Sequence, residues 1–173
     1  MQVAINKFVF IDKTTMKKIF ILFALTCILV ACNQQQQNKM DSVLRPEEHA
    51  KEVLKKTAEA VNASCPAPAG DKYTLVGVHL SEGKWTYCYT VAEDSVVRFD
   101  NPISNEVFAK GMKNATTETI LKNPSMMTMI NQLIEAKTDL TYEYTGSETG
   151  KTATIIFSYP ELRMIRDMAN NSK

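Results

Sequence analysis

From Pro46 to Val61, residues with an apolar side recur at Ala50, Val53, Leu54, Thr57, Ala58 and Val61, the three-and-four spacing of a single helix face. Pro46 suits a first helical turn, and Glu47 and Glu48 follow where the positive end of the helix dipole favours acids. The pattern stops near Asn62, ahead of Cys65-Pro66-Ala67-Pro68. It then changes period. In "YTLVGVHLSEGKWTYCYTV" two runs rich in β-branched and aromatic residues flank Ser81-Glu82-Gly83-Lys84, which predicts a β-hairpin with a four-residue loop. Setting Leu80 against Trp85 places Val78 opposite Tyr87 and Val76 opposite Tyr89, one apolar face. The other face then takes Gly77 beside Cys88 and His79 beside Thr86.

After Asp100-Asn101-Pro102 the helical period returns. Ser104 or Asn105 can cap a helix carrying Val107, Phe108, Met112 and Ala115, with Gly111 and Thr116-Thr117 weakening its interior. Asn123-Pro124 restarts the chain, and Met126, Met127, Ile130, Leu133 and Ile134 form a second apolar stripe as far as Lys137. In "DLTYEYTGSETGKTATIIFSYP", Leu140, Tyr142 and Tyr144 alternate with Thr141, Glu143 and Thr145, and Ile155, Phe157 and Tyr159 answer across a Gly146–Lys151 turn. A short helix from Pro160 to about Met168 closes the pattern.

Helix, hairpin, helices, hairpin is a tandem α-β-β order. It predicts an α+β, two-layer sandwich: a four-stranded antiparallel sheet made of two hairpins, with helices packed on one face. The layout is similar to the small repeat fold of β-lactamase-inhibiting proteins and of other helix-on-sheet binding modules of the cell envelope. That likeness is architectural and carries no function.

The amino-terminal part has a different character. Lys17 and Lys18 follow Met16 and lead into the apolar run Ile19–Ala31, which as a helix reaches roughly 20 Å, short of a ~30 Å hydrocarbon core. A positive start, a short apolar centre and small residues at its end make an export signal. Leu29-Val30-Ala31-Cys32 resembles the lipobox of bacterial lipoproteins, in particular the small Bacteroidetes-type envelope lipoproteins of unknown role. The resemblance implies cleavage before Cys32 and acylation of its thiol; two or more acyl chains anchor stably. Residues 1–31 are then the signal peptide, with Met16 the better start because Asp12 makes an odd n-region, residues 32–43 a polar tether, and 44–173 one α+β domain. Asn33, in place of the aspartate that retains enteric lipoproteins in the inner membrane, directs the expectation to the outer membrane, facing the periplasm.

Processing changes the totals. The signal removes four lysines and one aspartate from 20 basic and 19 acidic residues, leaving a charge near −2. No nucleic-acid partner is implied, since there is no basic excess to displace counterions. Cys65 and Cys88 become the two remaining thiols, and an oxidising compartment favours a bridge between them, worth about 3 kcal/mol by chain entropy. Two free buried thiols are the alternative.

Catalytic chemistry needs a nucleophile with its base, paired carboxylates or a metal cluster, and none stands out. His49 lies on the first helix beside Glu48 and Glu52 as a solvated residue, and His79 faces Thr86 on the non-core side of its strand. Gly146 and Gly150 read as turn residues, not a phosphate cradle. Met126-Met127-x-Met129 with Met112 has the soft sulfur that selects Cu(I), but helical spacing turns Met127 away from the others and methionine fills cores. No metal or other cofactor is expected beyond the lipid. Asp41-Ser42-Val43 and Asp94-Ser95-Val96 resemble the Bacteroidetes O-glycosylation motif, implying Ser42 and Ser95 as acceptors; a cap or turn is the plainer reading of both.

The expectation is therefore a non-enzymatic protein-binding or assembly module, anchored to the membrane and contacting an envelope protein. Its contact surface would be the sheet face free of helices, including Leu75, His79, Thr86, Thr141, Glu143 and Thr145. The alternative is a periplasmic small-ligand or metal carrier with a cavity between helices and sheet near Trp85, Tyr87 and the methionines.

Overall fold

The computed structural model describes residues 45–81, 83–95 and 97–171. The signal segment and the whole tether, with Cys32 and Ser42, lie outside the described residues. In chain order the elements are α1 (Pro46–Asn62), β1 (Ala67–Pro68), β2 (Tyr73–Ser81), β3 (Lys84–Val91), α2 (Pro102–Lys122), α3 (Pro124–Glu135), β4 (Asp139–Gly146), β5 (Thr152–Phe157) and α4 (Tyr159–Asn171).

The strands form one sheet in the order β1-β2-β3-β4-β5. The class is α+β as the periodicity requires, but the sheet is mixed and five-stranded, not four-stranded and antiparallel. β3 and β4 pair parallel at its centre, Lys84 beside Asp139 through Val91 beside Gly146. Hydrophobic alternation encodes which face a side chain takes and is silent on strand direction. The direction comes from the connection: α2 and α3 together supply the long crossover a parallel pair needs. The fifth strand is the two-residue β1, against Leu75 and Thr74 of β2.

Several local expectations shift. Asn101, not Ser104 or Asn105, caps α2, accepting from the Ile103 N–H at 2.9 Å. α2 then runs unbroken through Gly111 and Thr116-Thr117, because Met112, Thr116 and Ile120 bury one stripe and packing outweighs propensity. Asn123-Pro124 restarts the chain as expected, and Asn123 caps α3, accepting from the Ser125 N–H at 3.0 Å. The first hairpin is tighter than a four-residue loop, since Ser81 pairs with Lys84 and Gly83 takes φ +65°.

The apolar strand residues face one side, Val76 and Ile156 excepted. Across the sheet they form rows: Leu80, Trp85, Leu140 and Phe157; Val78, Tyr87, Tyr142 and Ile155; Leu75, Tyr89, Tyr144 and Ala153. Leu54 and Ala58 of α1, Met112 and Ile120 of α2, Ile130 and Leu133 of α3, and Leu162 and Ile165 of α4 join them in one core. The parallel register stacks Tyr87 on Tyr142 (5.4 Å, 19°) and Tyr89 on Tyr144 (5.2 Å, 15°). Phe108 of α2 meets Tyr144 edge-on at 5.3 Å. Such aromatic pairs contribute about 0.5–1.5 kcal/mol each beyond area burial.

Candidate functional site

The second face of the sheet is built from the alternate positions of the same strands. Its rows are Ser81, Lys84 and Asp139; His79, Thr86, Thr141 and Ile156; Gly77, Cys88, Glu143 and Thr154; and Thr74, Thr90, Thr145 and Thr152. The last row puts one threonine on each of four neighbouring strands, a span of roughly 14 Å at the usual strand spacing. Thr145 and Thr152 share a hydroxyl hydrogen bond of 2.8 Å. β-Branched side chains suit the pleat, and their hydroxyls make the surface polar. Among the described residues no helix contributes buried apolar side chains to this side.

Of the residues expected on this face, His79, Glu143 and Thr145 are there, His79 exposed opposite Thr86 and the other two half-buried. Leu75 is not. A bulge between Leu75 and Gly77 pairs Leu75, rather than Val76, with Tyr89, so Leu75 turns into the core and Val76 stands out. Thr86 and Thr141 are on the face but buried, Thr141 with 1 % exposure and its hydroxyl unpartnered. Flanked by Thr86 and Ile156 across the sheet and by Asp139 and Glu143 along its strand, Thr141 gives the surface little area. The accessible parts are His79, Thr74, Thr152, Thr154 and Ile156.

Cys65 and Cys88 are free thiols, so the expected bridge is not formed. Cys88 alternates with Tyr87 and Tyr89 and lies on the threonine face, whereas Cys65 packs against the core. Burial raises both thiols, and nearby Glu143 raises Cys88 further. Neither is an activated nucleophile. The described residues contain no group of three or more His, Cys, Asp or Glu able to hold a metal. The residues of the carrier reading are core residues: Trp85, Tyr87, Met112, Met126 and Met129 are buried, and Met127 packs against them. Trp85 keeps one buried N–H without a partner. His49 is exposed on α1. Ser95 is exposed in the loop after β3, where Asp94 pairs with Lys72 and accepts from the Val97 N–H at 2.8 Å, a turn of its own.

One buried carboxylate escapes sequence reasoning. Glu93, just beyond β3, accepts from the N–H groups of Phe99 (2.8 Å), Thr149 (2.7 Å) and Glu148 (2.9 Å) and from the Thr149 hydroxyl (2.9 Å). Burial alone raises this carboxyl; the backbone and hydroxyl donors outweigh it and bring it down to about 2. Gly146 leaves the room, since a Cβ there would lie 2.4 Å from the Glu93 carboxyl carbon. The clamp ties the loop before α2 to the β4–β5 turn and so sets one end of the threonine face. Two of its partners, Glu148 and Thr149, stand 55 and 56 residues from Glu93 in sequence, and no local pattern announces it.

The chain matches no family model and no curated protein. A presumed secreted protein from Pseudomonas aeruginosa, known as a crystal structure, is similar at 15 % identity and a TM-score of 0.48, covering 70 % of this chain and 100 % of that one. No helix among the described residues is long and apolar enough to cross a membrane.

Proposed function

We propose that this chain is a non-enzymatic protein-binding or assembly module of the cell envelope, anchored through a lipid on Cys32 at the periplasmic side of the outer membrane and binding through the threonine face. The observation that carries the reading is the difference between the two faces of one sheet. One is filled with stacked tyrosines under the helices; the other presents aligned threonines with His79 and Glu143. A flat, polar, β-rich surface suits a protein partner better than a buried small molecule, which needs a concave site. The short apolar run and lipobox of the amino terminus support the address.

The test is affinity capture of the native acylated chain from envelope membranes. The wild type should retain a defined partner that the double variant His79→Glu/Glu143→Lys loses by about tenfold or more. Retention of the same partner by both would overturn the assignment of the face. Mass spectrometry of the native product checks the anchor separately: a diacylated Cys32 at the amino terminus is expected, and an unmodified thiol with residues 16–31 attached refutes it.

A further inference from the structure

The two edges of the sheet are finished differently. At the β2 edge, β1 covers Thr74 and Leu75, a bulge follows at Val76, and the Asn62 side chain then stands in for a neighbouring strand. Its amide donates to the Val78 carbonyl at 2.8 Å and accepts from the Val78 N–H at 2.6 Å. Gly77 lets it in, for a Cβ there would be 3.0 Å from the Asn62 oxygen. These are the devices that keep an edge from pairing with another chain.

β5, at the other end, carries none of them. Thr152-Ala153-Thr154-Ile155-Ile156-Phe157 holds no charge, proline or bulge, and Lys151 before it reaches back to the Asp100 carbonyl at 3.4 Å. The Gly146 N–H donates to the Lys151 carbonyl at 2.9 Å, so in the antiparallel ladder residues 151, 153, 155 and 157 bond to β4. The N–H and C=O groups of Thr152, Thr154 and Ile156 therefore point outward. The same end of the sheet is covered by α2, with Lys113 over the Phe157 ring at 5.2 Å. Four of the seven large apolar side chains exposed among the described residues stand on these two elements: Ile103 (72 %), Val107 (48 %) and Leu121 (37 %) on α2 and Ile156 (45 %) on β5.

The outer stripe of α2 reads Val107, Lys110, Asn114, Glu118, Leu121. Its spacings of three, four, four and three are symmetric about Asn114. Laid against an antiparallel copy, it sets Val107 beside Leu121 and Lys110 beside Glu118, a self-complementary pattern of the kind a two-fold contact requires.

We propose that the chain forms a two-fold dimer in which β5 pairs antiparallel with β5 of a second copy, Thr154 near the axis, and α2 meets α2 above it. The two sheets become one, and the two threonine faces become continuous. This rests on the bare edge and the α2 pattern and stands or falls apart from the anchor and the envelope partner.

The test uses the full acylated chain in detergent. Light scattering should give the protein mass of two copies. Thr154→Pro, which removes an outward N–H without touching the β4 ladder, should weaken the dimer about tenfold or more; Thr154→Lys should do the same if the proline variant misfolds. Lys110→Glu should weaken it and the added Glu118→Lys restore it, a rescue that general destabilisation does not produce. A cysteine replacing Thr154 (T154C) should cross-link two copies, because a hydrogen-bonded antiparallel pair sets Cα atoms about 5.5 Å apart, within disulfide range. A native chain that is monomeric at tens of micromolar (on the order of tenfold above a micromolar Kd), a dimer unchanged by both Thr154 variants, or an edge filled by a different protein would each overturn the proposal.

Discussion

The two faces of this sheet are made from alternate residues of the same strands and have opposite fates. On one side Trp85, Tyr87, Tyr89, Leu140, Tyr142, Tyr144 and Phe157 are covered by helices. On the other, one residue along, stand Thr86, Cys88, Thr90, Thr141, Glu143, Thr145 and Ile156. The first face accounts for stability, where burial of one large side chain is worth about 1.5–3 kcal/mol. The second contributes little to the core, and its aligned hydroxyls need another explanation. A period of two in sequence thus separates what holds the fold together from what the fold displays.

Changes on the core side should have the largest effect on folding. Phe157→Ala, from a fully buried ring, should cost about 3–5 kcal/mol in urea unfolding; a loss under 1 kcal/mol would mean that the tyrosine side is not the true core. Next comes the clamp that sets one end of the display face. Gly146→Ala drives a methyl into the Glu93 carboxylate and should cost roughly 1–3 kcal/mol, but much less when added to Glu93→Ala, which removes the clashing group.

Acid and alkali distinguish the same regions. The Glu93 and Glu47 carboxyls are lowered from 4.5 to about 2, Glu93 by its N–H donors against burial and Glu47 by hydrogen bonds from Lys137 and Lys51. A depressed carboxyl stabilises the fold above its unfolded value, and that stability is lost as pH falls from about 4.5 toward 2. The phenols of Tyr89 and Tyr144 are raised well above 10 by burial, then by neighbouring phenols. Their contribution is intact below 10 and is lost as pH rises beyond it. Thermal melts should show a plateau between, with Glu93→Gln flattening the acid limb and Tyr144→Phe altering only the alkaline one.

Asn62→Ala removes the side chain that completes the β2 edge and should cost about 1 kcal/mol. The smallest effect belongs to the display face: Thr90→Ala should move stability by no more than about 0.5 kcal/mol while weakening capture of a partner. Equal losses of stability and capture would erase the distinction between the faces.

Much of the frame was legible along the chain. The 3.6 period over Ala50, Leu54, Ala58 and Val61 and the alternation through Trp85, Tyr87 and Tyr89 marked helix and strand, and the Leu80–Trp85 register followed from the apolar pairing. What stayed hidden was non-local. Nothing in "TYEYTG" states that its strand runs parallel to "WTYCYTV", since a helical crossover decides it. The bulge at Val76 moved Leu75 into the core, because valine and leucine are equally apolar and the pattern accepts either register. Thr141 alternates with Leu140 and Tyr142 and yet is buried, and no local pattern marks Glu93, whose partners lie in the β4–β5 turn and before α2. Of the display face, His79, Glu143 and Thr145 were found; the four-threonine row needed the true order of the strands.

Site-specific photo-cross-linking in intact envelopes tests the central claim most directly. With the reactive group at His79, Thr90 or Glu143 on one side, or at the exposed helix positions Lys55 and Asp167 on the other, a single adduct of defined mass should form from the sheet positions and not from these helix positions. Adducts from the helix positions alone would place the contact on the wrong side of the molecule and contradict the account.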